Sequence, residues 1–133
     1  MRVSEITFPI RWVDIDSYQH VGHQRYFDWM TEARAQWLMA LSKRLNLDLL
    51  FQFVVVDVNC NYQQSLFYPG NVLLAQDVIA VGRCSLSLSY HFWADSAQTE
   101  LVATASAKLV CIDATTKKST PIPVSMREYL QII

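Results

Sequence analysis

From His23 to about Leu45 the apolar residues recur at helical spacing. Tyr26, Met30, Ala33, Trp37 and Leu41 form the stripe, Phe27, Trp29 and Leu38 widen it, and Arg25, Asp28, Glu32 and Gln36 fall opposite. This predicts one helix of about five or six turns with a single broad apolar face. Before it, Glu5 to Val13 reads as a strand with Ile6, Phe8 and Ile10 on one side, and Asp14 to Gly22 as a short polar loop. Beyond Gln52 the period changes to two. Val54, Val56, Val58, Cys60 and Tyr62 point one way, and Val55, Asp57, Asn59 and Asn61 the other. Pro69-Gly70-Asn71 marks a turn, Val72 to Val81 a mainly apolar strand, and Gly82-Arg83 a tight turn. Leu86, Leu88, Tyr90 and Phe92 then alternate with serines and His91. After a turn at Asp95 to Gln98, Leu101, Ala103, Ala105, Ala107 and Leu109 alternate through to Ile112, and Pro123 opens a short final helix to Leu130.

Strand, long helix and a run of antiparallel strands predict an α+β domain in which one sheet of about five strands wraps a central helix. Its apolar face covers the stripe of the helix. Residues 1–133 are expected to form this one domain, with no repeat or linker. Such a sheet leaves an edge strand open to a second copy of the chain. Composition points the same way: 52% hydrophobic and 17% charged residues are more apolar and less charged than usual for a soluble domain. Some of that apolar surface is expected to be covered by another subunit.

A formal net charge of −1 gives no electrostatic case for nucleic acid or an anionic membrane. Cys60, Cys84 and Cys111 form no CxxC pair and no cluster with histidine, so no metal site is expected. All three fall in strand-like segments, as small buried thiols suited to a reducing compartment. Met1 to Ile10 has no apolar run of signal-peptide length, and no segment reaches the length of a membrane span. The expected location is cytoplasmic.

The chemistry concentrates in Arg11 to Tyr26, which sets Asp14, Asp16, His20, Gly22 and His23 between a strand and a helix. A helix start carries unpaired backbone N–H groups that can hold a developing oxyanion. A carboxylate a few residues upstream can turn back toward the same point, a minimal apparatus for cleaving an ester or thioester. The alternative is that Asp16 merely caps the loop or the helix.

Asp16, His20, Val21, Tyr26, Glu32 and Arg34 together resemble the signature of the 4-hydroxybenzoyl-CoA thioesterase family of hotdog proteins. The runs Val54 to Tyr62 and Leu109 to Asp113 are similar to the bacterial long-chain acyl-CoA thioesterases within it. The resemblance implies a hotdog fold and hydrolysis of a medium- to long-chain acyl-CoA to fatty acid and CoA. It implies no cofactor beyond the CoA of the substrate, and a homodimer, with a dimer of dimers left open. It gives Asp16 the role of general base or nucleophile, the backbone N–H of His23 that of oxyanion donor, and Asp14 a structural one. Where many relatives carry two asparagines after the His-Val pair, this chain has Gly22 and His23. The His23 ring either orients water or the thioester or has no task, and Gly22 admits a ligand close to the backbone. Asn59, Asn61 and Gln64 are candidates to line the site from the neighbouring subunit, or else bond across the sheet. Arg83 meets the nucleotide phosphates or is an ordinary turn arginine. Tyr26, Phe27, Trp29 and Trp37 are chiefly core, with some bordering an acyl tunnel along the helix–sheet boundary. His20 is expected to pack and bond within the loop, His91 to have no function, and Glu32 and Arg34 to be surface or interface groups. Two other readings stand beside this one: hydrolysis of acyl-carrier-protein thioesters, and acyl-ligand binding without catalysis.

Overall fold

The computed structural model describes residues 1–131. The elements are β1 (Arg2–Ile10), a 3-10 turn (Trp12–Asp14), α1 (His23–Leu45), β2 (Phe53–Tyr62), β3 (Gly70–Val81), β4 (Ser85–Trp93), β5 (Leu101–Cys111) and α2 (Val124–Gln131). The strands form one antiparallel sheet in the order β1-β3-β4-β5-β2. α1 lies on its concave face, the hotdog arrangement. Tyr26, Trp29, Met30, Ala33, Trp37, Leu38 and Leu41 of the helix are buried against Leu74, Leu86, Leu88, Tyr90 and Phe92 of the sheet. Asn46 ends the helix in the left-handed conformation that Asn tolerates better than most residues. No helix among the described residues is long and apolar enough to cross a membrane.

Four features depart from the sequence reading. Trp12 and Val13 do not extend the first strand: the Asp14 carboxylate accepts the Arg11 N–H at 2.8 Å and curls the chain into a 3-10 turn. A register shift between Val55 and Asp57 makes Val56 a bulge. Val55, Val58, Cys60 and Tyr62 therefore lie opposite the core-facing Leu109, Ala107, Ala105 and Ala103, while Val54 joins Asp57, Asn59 and Asn61 on the outer face. Arg34 is buried rather than at a surface, because the Tyr90 hydroxyl at 3.3 Å and the Thr31 hydroxyl at 3.2 Å accept its N–H groups. Cys84 sits in the β3–β4 turn and is half-buried, as is Cys60, and Cys111 is buried.

The two edges of the sheet differ. β1 carries Arg2 paired with Glu5 and Asp77, and Pro9 lies near its end. Such charge and proline discourage further pairing. β2 exposes Val54, Val55, Val56 and Val58, with Asp57 as its one charge.

Candidate active site

The segment between β1 and α1 is closed by its own backbone. The N–H of Asp16 donates to the carbonyl of His20 at 3.0 Å, and that of Gly22 to the carbonyl of Asp14 at 3.0 Å. The N–H of Val21 donates to the carbonyl of Leu66 at 2.8 Å, which ties this loop to the chain leaving β2.

The two carboxylates of the loop have different surroundings. Asp14 is 2% exposed, accepts from the Arg11 backbone and guanidinium, and lies 3.6 Å from Arg25 Nε. It fastens the end of β1 to the first turn of α1. Asp16 is half-buried, and its Oδ1 accepts the Tyr18 N–H at 2.9 Å. No ion pair among the described residues includes it. A Cβ placed on Gly22 would stand 3.9 Å from Asp16 Oδ2, so this carboxylate faces the start of the helix.

Gly22 is the N-cap of α1; no side chain caps the helix and no acid lies in its first turn. The first amides of the helix are therefore left without a side-chain partner, and the Asp16 carboxylate faces the positive end of the dipole. A Cβ on Gly22 would meet only ordinary contacts and its φ is −67°, so packing does not require glycine there. Its effect is to leave space between the carboxylate and the helix amides.

Two cavities flank this point. One, of about 160 Å³, is lined by His20, Val21, His23, Tyr26, Tyr62, Gln63, Gln64 and Ser65. The other, of about 430 Å³, is lined by Trp12, Ile15, Asp16, Gln19 and Tyr68. In the first, the Tyr62 ring stacks on His23 and its hydroxyl donates to the His23 carbonyl at 3.2 Å. Burial pushes the Tyr62 phenol up to about 12, with Cys60 adding to the shift. Tyr26 is buried, meets Tyr62 edge to face, and its phenol is also raised, chiefly by burial. His20 bonds within the loop, with Nδ1 3.3 Å from the carbonyl of Val21.

The structure thus brings Asp16, Gly22, His23, Tyr26 and Gln64 together within one chain, Gln64 reaching the cavity without a neighbour. Within the chain, Asn59 and Asn61 lie on the outer sheet face, where Asn59 donates across the sheet to the Ser106 hydroxyl at 2.8 Å. Arg83 follows β3 at the end away from Gly70, which pairs with Ile10 just before the loop. Twelve strand residues put it roughly 40 Å off along the sheet. Tyr62, Gln63 and Ser65 were missed from sequence; three polar residues directly after a strand-ending tyrosine were the available signal.

The family profile described as Thioesterase-like superfamily matches residues 10–130. The chain belongs to that superfamily. This thioesterase-like protein is 28% identical over 131 residues to the long-chain acyl-CoA thioesterase FadM of Escherichia coli (strain K12), covering 92% of each chain. Among solved structures it is similar to the PA2801 protein of Pseudomonas aeruginosa, with TM-score 0.84, 27% identity and coverage of 98% and 99%. It shares its fold with the DHNA-CoA thioesterase of Staphylococcus aureus, with TM-score 0.76, 23% identity and coverage of 97% and 89%. Membership makes this thioesterase-like chain a thioester hydrolase.

Proposed function

We propose that the protein hydrolyses medium- to long-chain acyl-CoA to fatty acid and CoA, with Asp16 as the catalytic carboxylate. The observation that carries this reading is the pairing of a carboxylate free of any cation partner among the described residues with an uncapped helix start. A thioester carbonyl set between them takes the helix amides, the His23 N–H first, on its oxygen. Asp16 attacks the carbonyl carbon from the other side or deprotonates the water that does. The C–S bond breaks, the CoA sulfur leaves and takes up a proton, and water supplies the second carboxylate oxygen of the product. The CoA thioester and the chain length rest on the likeness to FadM and on apolar residues beside Asp16.

The test is Asp16→Asn, assayed for CoA release with a thiol-trapping reagent. Turnover is expected to fall on the order of a thousandfold with an unchanged melting curve. Full activity in that variant removes Asp16 from the mechanism.

The protein is further proposed to act as a homodimer joined along β2. β1 is blunted by charge, whereas β2 presents valines and a free edge.

A further inference from the structure

A thioester carbonyl has two arms, the acyl chain and the pantetheine reached through sulfur. Asp16 likewise lines one cavity and His23, at the helix start, another. The His20/His23 cavity is bordered by Gln63, Gln64 and Ser65, side chains that donate to and accept from amides such as those of pantetheine. The larger cavity is walled by the rings of Trp12 and Tyr68 and by Ile15, with Asp16 and Gln19 as its polar members. Trp12 and Tyr68 meet edge to face, with centroids 5.6 Å apart and planes at 70°. Both are exposed, at 71% and 46%, and Val13 and Phe67 beside them in sequence are exposed as well, an apolar patch of the kind that marks a ligand-binding groove. The core route expected for an acyl tunnel is filled: Tyr26, Trp29 and Phe92 pack against one another at 7% exposure or less.

We infer that the Trp12–Ile15–Tyr68 cavity is the acyl subsite, with Trp12 and Tyr68 as its chain-length-determining residues and an unbranched aliphatic chain as its occupant. This rests on the acyl-CoA reading above and fixes the direction in which the chain leaves the carbonyl. The cavity opens to solvent beside Trp12, which is 71% exposed, so the subsite tolerates long chains, while short ones that do not reach the two rings gain nothing from it. Each methylene covered by the two rings strengthens binding about fourfold, the equivalent of burying one CH₂. The gain levels off once the chain has passed them.

The experiment has two arms. In the first, kcat/KM is measured for acyl-CoA thioesters from acetyl to palmitoyl in the unaltered protein, Trp12→Ala and Tyr68→Ala. In the second, the same three proteins bind inert S-alkyl-CoA thioethers of matching lengths by calorimetry. Trp12 is outside the core, so its truncation leaves the melting curve unchanged; Tyr68→Leu serves if Tyr68→Ala melts early. The expected result is a loss of ten- to a hundredfold for long chains with acetyl-CoA changed less than about threefold, and a flattened dependence of thioether affinity on length. A length dependence that is the same in all three proteins overturns the inference. So does a loss shared equally by all lengths and by CoA alone, which would place the CoA portion there. If the unaltered protein hydrolyses no acyl-CoA yet binds thioethers in a length-dependent way through Trp12, the proposed function falls while the subsite stands.

Discussion

The ring of Tyr62 lies on the imidazole of His23 with centroids 4.1 Å apart and planes 13° from parallel, and its hydroxyl bonds to the carbonyl of the same residue. Tyr62 ends β2 and His23 begins α1, so the pair clamps the edge of the sheet to the helix start. The clamp holds the peptide at which the oxyanion donors begin. Tyr62→Phe keeps the stack and loses one hydrogen bond of about 1 kcal/mol, and is expected to lower kcat roughly fivefold or less. Tyr62→Leu loses both contacts and is expected to lower it by an order of magnitude or more. Faster amide exchange at His23, measured by NMR, should accompany the second change; equal kcat in both variants and the unaltered protein would remove the clamp from catalysis.

Asp14 and Asp16 should separate stability from turnover. Asp14 is buried and bonded to Arg11, with Arg25 close by. Asp14→Asn is expected to cost about 1–3 kcal/mol of stability, seen as a lower urea midpoint, with a far smaller effect on kcat than Asp16→Asn.

The β2 edge is expected to hold the dimer. Val56 is 55% exposed at the bulge of that strand. Val56→Lys puts a charge where a second strand would pair and should shift the sedimentation coefficient to that of a monomer. An unchanged coefficient would place the interface elsewhere.

Stability should fall at alkaline pH. Burial raises the phenols of Tyr62 and Tyr90 to about 12 from the ordinary 10. The folded chain then keeps protons that the unfolded chain has lost, so folding binds protons between these values. The contribution is whole below pH 10 and disappears as pH climbs toward 12. Urea midpoints should be level to about pH 9 and decline beyond 10, less steeply in Tyr90→Phe, whatever that variant's starting stability.

The core was legible because its pattern is strict. β4 alternates leucine or aromatic with serine, and its buried residues are those that the alternation marks. The stripe of α1 is equally plain and runs from His23 to Leu45 as read. The bulge at Val56 was hidden, since Val54, Val55 and Val56 have one side chain and cannot report which face each occupies. Trp12 and Val13 continued an apolar run, and the bonds between Arg11 and Asp14, backbone and side chain together, turn them out of the sheet. Asp16, Gly22 and His23 could be placed because they are neighbours in the chain. Gln63 and Ser65 could not, and Gln64 was expected only from a neighbouring subunit, because the bond between Val21 and Leu66 that brings them to the site spans the whole of α1 and β2.

Gly22 sets two selective demands against each other. A serine or aspartate at that position would satisfy an amide of the first turn and anchor the helix by about 1 kcal/mol. Its side chain would also occupy the space between the Asp16 carboxylate and the helix start, where a reacting carbonyl has to sit. A more robust enzyme is therefore one short substitution away, and it is expected to be a slower one. Searches for heat-tolerant variants of this protein should find their gains away from this residue.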